Sequence, residues 1–525
     1  MKPEQATWLS PNQPPAPANR LRALDTPTVP VSTARQLWLA VYLPKFTLEM
    51  ATRGNAERKA CVLVEGASGR QRISLVNTEA ARLGVKPGMA LAAAHALGEL
   101  RPFERVPEAE SRALEQLCAW AYQFTPVVAP VAPDGLVMEI RGSLGIFGGL
   151  SGLLGKVRRE LLQLGFRAFA LGVAPTPTAA TWLARAHQST PVETLAALPS
   201  AFGRVPLEAL QLPPQLQQDL RGIGIHTAGD CLRLPRDSFA RRFGPELLAS
   251  LDKALGRVPD LRPSLRLPVT FFGRIDLLWE IRHVQALSLA MERLLAELVG
   301  VLRGQSAAVR NIRWHLFHAD GSIAGHTVSL VAPTRDPLHL LRLSREHFLR
   351  QPLPAPITGL ALEVGDFEVQ AAVPAEDLFS QRPTAGDGAR DWPRFVDRLR
   401  ARLGDDALQR VLVHAEHRPE NAGVTQPMAI TATTSVRPQE SATRWPARPV
   451  WLVRQPIPLA QTGELPDFDG PLQLEPERER IQSGWWDGQA VARDYFVARD
   501  QHGSKLWVFQ ELAGRRGWYL HGIFD

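Results

Sequence analysis

Apolar positions along the chain fall into short continuous runs separated by longer amphipathic stretches. QLWLAVYLP (36–44) and KACVLVEG (59–66) are apolar runs of strand length, ended by Pro44 and Gly66. RISLVNTEAARLGVKPGMAL (72–91) reads as a strand feeding a helix that stops at Gly84, and EAESRALEQLCAWAYQFTP (108–126) as a helix. A strand follows at PVAPDGLVMEIRG (130–142), then a helix at LSGLLGKVRRELLQLG (150–165), a strand at FRAFALGVAP (166–175) and a helix at TPTAATWLARAH (176–187). This interleaving predicts an α+β domain over 36–190. Residues 1–35, with PNQPPAPAN, show no such period and read as a disordered tail.

Over 191–262 the pattern turns helical, with glycine-bearing turns in LRGIGIHTAGDCLRLPRDSFARRFGPELLASLDKALG (220–256). Residues 263–372 return to strands and helices in the order βαββαβ, which predicts a small split-βαβ domain. Residues 373–450 are rich in proline and arginine and read as a linker. Structure is expected again only at RDYFVARDQHGSKLWVFQ (493–510), a hairpin turning at DQHG, followed by the strand GWYLHGIF. Six of the 13 tryptophans lie beyond residue 440, so 451–525 reads as a packed minidomain or partner-binding region. The expectation is an α+β multidomain protein, since 525 residues exceed what one core can organise.

Charge adds a weaker indication. The net charge of +7 is compatible with a polyanionic partner, and only seven of the 60 basic residues are lysine. Arginine suits phosphate recognition, but a GC-rich genome produces the same bias. Cys61, Cys118 and Cys231 lack CxxC spacing, which argues against a zinc site or disulfides, and no cofactor is expected. With no membrane-length apolar run or signal-like segment, a cytoplasmic, nucleoid-associated protein is expected.

Three stretches invite a chemical reading. In LRGIGIHTAGD (220–230), Gly222 and Gly224 permit a tight helix-hairpin-helix turn. Consecutive backbone N–H groups across Gly222, Ile223, Gly224, His226 and Thr227 then become candidates for a DNA phosphate. GGLSGLLGKV (148–157) fails as a P-loop, because Leu150 falls where the first glycine is needed and Val157 where Ser or Thr is. His414 and His417 have ligand spacing without a companion cluster. The strand at 130–142 carries two acids, Asp134 and Glu139, of which Asp134 reads as a loop-start acid bonding its own backbone.

FTPVVAPVAPDGLVMEIRG (124–142), ISLVNTEAARLGVKPGM (73–89) and ALGVAPTPTAATWLARA (170–186) together resemble the palm and fingers of Y-family translesion DNA polymerases. The resemblance implies palm and fingers over 36–190, a helical thumb with a helix-hairpin-helix, and a little finger over 263–372. Active members hold two magnesium ions with one carboxylate from the first strand and two from an adjacent Asp-Glu pair. Asp134 matches the Asp of that pair, Gly135 stands in place of the Glu, and LWLAVYLP carries no acid. Glu139, five positions along the strand, is expected on the opposite face roughly 16 Å away. The family's nucleotide-contacting Tyr and Arg fall on Thr78 and Ala81, and its lysine pair on Pro177 and Thr181. Arg82 lies one position after the arginine's place.

These departures resemble a catalytically inactive branch of the family found in bacterial mutagenesis cassettes. ARLGDDALQRVLVHAEHRPENA (401–422) and residues 493–525 are similar to that branch's C-terminal region. The resemblance implies an adaptor in SOS-induced translesion synthesis. It would bind primer-template DNA and the sliding clamp, and recruit an error-prone C-family DNA polymerase and a RecA-like protein, ImuA. The clamp peptide would be AEDLF (375–379), with Leu378 and Phe379 as anchors and Ala375 where glutamine is expected. An active or weakly active Y-family polymerase is the alternative.

Overall fold

In a computed structural model, which describes residues 36–524 apart from 56–58, 68, 264, 266, 351–354, 370–386, 428–447 and 515, the first apolar run becomes β1 (Trp38–Tyr42). It leads to α1 (Phe46–Thr52), β2 (Cys61–Glu65), β3 (Arg72–Val76), α2 (Thr78–Arg82), α3 (Leu91–His95), β4 (Arg101–Glu104) and α4 (Pro107–Ala121). Then come β5 (Val128–Val131), β6 (Gly135–Glu139), α5 (Gly149–Leu164), β7 (Ala170–Ala174) and α6 (Pro177–Arg185).

These strands form two sheets. One is antiparallel, in the order β5-β6-β1-β7; the other, β3-β2-β4, is a separate three-stranded unit with its own small core around Val62, Ile73 and Leu100. Strand β1 is buried on both faces. Leu37, Leu39 and Val41 join a core with α4 and α5, while Trp38 and Ala40 join one with α6. That alternation explains why the segment reads as an unbroken apolar run.

The second face of this sheet shares its core with the helical region, α7 (Leu198–Phe202), α8 (Pro214–Gly222), α9 (Ala228–Cys231), α10 (Arg236–Phe243) and α11 (Pro245–Ala254). Phe202, Leu220, Phe239 and Leu251 are buried there with Trp182 of α6.

The third region follows the predicted order: β8 (Phe271–Ile281), α12 (Ser288–Gly304), β9 (Ala307–His318), β10 (Ile323–Thr334), α13 (Pro337–Arg350) and β11 (Ile357–Val364). Its sheet runs β10-β9-β11-β8, antiparallel throughout, with the short β12 (Glu368–Val369) on β9. Leu294, Leu298, Trp314 and Phe348 fill the core beneath it.

Residues 373–450 are not all linker. The helix α14 (Asp387–Leu403) belongs to the first compact unit, which ends at Arg402. Asp397 accepts hydrogen bonds from the Val331 backbone N–H at 2.8 Å and pairs with His339 Nε2 at 3.1 Å, and Arg402 pairs with Glu346 at 2.9 Å. The clamp-peptide candidate, with Leu378 and Phe379, lies outside the described residues.

The second unit, Leu403–Asp525, holds the hairpin β13 (Gln409–Val413) and β14 (Gly423–Pro427) and a larger sheet. That sheet comprises β15 (Trp451–Thr462), β16 (Leu465–Asp467), β17 (Gln473–Ser483), β18 (Val491–Arg499), β19 (Lys505–Glu511) and β20 (Trp518–Ile523). Its order is β16-β15-β20-β19-β18-β17, antiparallel throughout. The expected hairpin and third strand are present, but strands begin at Gln409 and the larger sheet at Trp451, well before residue 493. The prolines of WLVRQPIPLAQT and the charges of QLEPERERIQS conceal the early strands. Tyr495 stacks on Trp507 at 4.2 Å, and its hydroxyl meets His521 Nδ1 at 2.8 Å in the core of this sheet. Among the described residues no helix is long and apolar enough to cross a membrane.

Candidate functional site

Asp134 sits at the turn between β5 and β6, where its backbone carbonyl accepts the Leu43 N–H at 2.7 Å. Its carboxylate does not bond its own backbone as expected. Oδ1 accepts from Arg185 Nη2 at 3.1 Å and Oδ2 from Gln211 Nε2 at 3.3 Å. Arg185 closes the last turn of α6, with its guanidinium 5.8 Å from the centre of the Tyr42 ring. Burial and the charge of Asp134 raise the Tyr42 phenol above its ordinary value, so it stays a neutral donor. Tyr42, Asp134, Gly135, Thr181 and Arg185 line a cavity of about 10 Å³, the space of one water.

Gly135 is crowded by the neighbouring strand. Opposite Tyr42 in the register, it lies so close to β1 that a Cβ would stand 2.6 Å from the Val41 carbonyl oxygen. No side chain of any kind fits without moving a backbone buried on both faces.

Glu139 belongs to a different structure. Its Oε1 accepts from the backbone N–H of Leu37 and of Arg141, each at 3.1 Å, tying the start of β1 to the end of β6. The two acids of this strand are therefore not brought together around one ion. Among the described residues, no group of three or more His, Cys, Asp or Glu is placed to hold a metal.

The positions matched to nucleotide contacts are occupied by short side chains in helices. Thr78 opens α2 behind the Asn77 cap, and Ala81 lies within that helix. Pro177 begins α6, and Thr181 Oγ1 donates back to the Pro177 carbonyl at 2.9 Å.

At the helical hairpin the sequence expectation needs correcting. Gly224 takes φ +81°, so the tight turn is present. Its N–H groups, however, are already used. Ile223 and Ile225 donate to the Leu220 carbonyl and Gly224 to that of Arg221. His226 and Thr227 both donate to Asp230 Oδ2, at 3.2 and 3.0 Å, while the Asp230 N–H returns a bond to Thr227 Oγ1. These bonds, Thr227's first among them, hold Asp230 below the usual carboxylate range. The spacing of Thr227 and Asp230 was the overlooked signal, since an acid three residues after a threonine closes a capping box. What the turn offers outward is Arg233, 83% exposed, and Arg221, which pairs with Glu208.

Residues 41–185 match the family described as impB/mucB/samB. The chain is 28% identical over 471 residues to Protein ImuB of Caulobacter vibrioides, covering 84% of this chain and all of that one. It is 25% identical over 305 residues to DNA polymerase IV of Desulfatibacillum aliphaticivorans, covering 53% of this chain and 72% of the relative. A crystal structure of DinB from Sulfolobus solfataricus aligns with 64% of this chain and all of that one, at 14% identity and a TM-score of 0.35. The matched residues have the fold of a Y-family polymerase-like domain, and the C-terminal region is β-rich. The chain is a homologue of Protein ImuB.

Proposed function

We propose that this chain is a non-catalytic, polymerase-shaped adaptor for SOS-induced error-prone translesion synthesis. The observation that carries this reading is the state of Asp134. Two-metal phosphoryl transfer needs several carboxylates converging on ions about 4 Å apart. Here one carboxylate is neutralised by Arg185, beside a glycine that cannot become an acid without displacing β1. Arg185 supplies a fixed positive charge, which disfavours entry of a divalent cation.

The retained frame serves DNA binding. Basic side chains around the α8–α9 turn and the strands of the third region grip primer-template DNA through its phosphates. The peptide at 375–379 engages the sliding clamp through Leu378 and Phe379, and the unit from Leu403 onward recruits the C-family polymerase and ImuA. The resemblance noted above and the similarity to Protein ImuB along its full length support these roles. Primer extension with magnesium or manganese tests the reading: the chain should incorporate no more nucleotide than its Asp134→Ala variant, and clear incorporation above that control would make it a polymerase.

A further inference from the structure

A second cavity, of about 240 Å³, shares no lining residue with the one at Asp134. It lies where α1, the start of α2, the loop before β7, strand β8 and helix α12 meet. Five cations line it (Lys45, Arg53, Lys59, Arg167 and Arg293) against two acids, Glu49 and Glu79.

Its deep end holds an electrostatic excess. Arg53 and Arg293 are 4% and 6% exposed. Arg53 pairs with buried Glu297, but Arg293 has no hydrogen-bond partner at Nε or Nη1. Glu49 does not make up the difference, because burial pushes it up to about 7 and its Oε1 is taken by the backbone N–H groups of Arg167 and Ala168. Burial and the nearby Arg53 lower Arg293 to about 10, so it is still charged at neutral pH. Gly165 makes room for this guanidinium, since a Cβ there would stand 2.8 Å from Arg293 Nε. Two buried guanidiniums thus face one buried carboxylate beside an open volume.

A buried charge with unused donors is costly unless an opposite charge meets it. The planar fork of arginine matches a phosphate group with two parallel hydrogen bonds. We propose that this cavity binds a phosphate group, either as the free ion or on a small phosphorylated molecule, with Arg293 as its deep anchor and Lys45, Lys59 and Arg167 around it. The volume falls below that of drug-sized ligand pockets, which favours a compact ligand. The site is independent of the adaptor reading and survives its failure.

Calorimetric titration of the full chain at constant ionic strength, with inorganic phosphate and separately with ribose 5-phosphate, tests this. At least one should bind saturably at one site, and the tighter of the two identifies the source. Arg293→Gln should weaken that binding about 10- to 100-fold, the loss expected for a hydrogen-bonded charge. Exposed Arg167→Ala, which does not threaten folding, should weaken it about threefold. The proposal is overturned if neither probe binds, or if both variants bind as tightly as the parent chain. It is also overturned if Arg293→Met lowers the melting temperature in phosphate-free buffer and phosphate raises parent and variant alike. That outcome would mean the guanidinium is satisfied inside the protein, for example by the free oxygen of Glu297.

Discussion

Arg185 Nη2 donates to Asp134 Oδ1 at 3.1 Å, joining the end of α6 to the turn between β5 and β6. Both side chains are largely buried, so the pair braces the sheet as well as cancelling the acid's charge. Arg185→Met should leave Asp134 without its counter-charge and cost about 2 kcal/mol, somewhat less than the full penalty for breaking a deeply buried pair. The double variant with Asp134→Asn should recover most of that loss in urea denaturation. If the double variant is no more stable than the single, the two residues do not act as a pair.

Gly135→Glu places an acid where the resemblance to active polymerases implies one, yet it should gain no primer extension. Crowding by the Val41 carbonyl predicts a destabilisation of about 2 kcal/mol or more, as for other overpacked interiors. A variant that melts like the parent would show that the strands yield more readily than their register implies.

DNA binding should be strongly salt-dependent and should not require free N–H groups in the hairpin. Arg233→Ala should weaken binding uniformly across sequences and reduce the salt slope by about 1, as expected for one lost phosphate contact. Gel-shift titrations over a range of chloride concentrations read both effects. An unchanged slope would remove Arg233 from the interface.

Leu378→Ala combined with Phe379→Ala should abolish clamp association measured by surface plasmon resonance, while DNA affinity stays as it was. Truncation after Arg402, the end of the first compact unit, should spare both DNA and clamp binding but lose the C-family polymerase and ImuA. Retention of those partners by the truncated chain would move their docking surface into the first unit.

Stability should carry the signature of Glu49. Its carboxyl ionises near 4.5 in the unfolded chain and at about 7 in the fold. Between those values the folded state keeps a proton that the unfolded state has released. Stability therefore falls as pH rises through this window and levels off above it, by roughly 3 kcal/mol in total. Glu49→Gln keeps an acceptor for the Arg167 and Ala168 N–H groups and should flatten the trend. Denaturation at pH 5 and pH 8 checks it, and parallel curves for parent and variant would assign the pH dependence elsewhere.

Much of the fold was legible because its strands are buried and periodic. The run at 36–44 and the βαββαβ order of 263–372 needed only apolar spacing. The separation of β2-β3-β4 into its own sheet was not legible, since periodicity marks a strand without naming its neighbour. Helix α14 was hidden by a proline at position 393 and by charges that meet Asp336 and Glu346 in the fold. At the site, that neither WLAVY nor position 135 carries an acid could be read directly from the residues. The pairing with Arg185 could not, because 51 positions separate the two. The hairpin misled for a more local reason: glycines announce a turn, but not whether Asp230 has already claimed its donors.

The closeness of β1 to Gly135 also bears on how such a chain can change over time. Losing a metal-binding acid by a point change is ordinarily reversible, because the vacated space waits for its return. Here the neighbouring strand occupies that space, so a side chain can enter at position 135 only if several buried positions shift together. The contact works as a ratchet, and drift from this sequence should change exposed positions far more readily than it places a side chain at position 135.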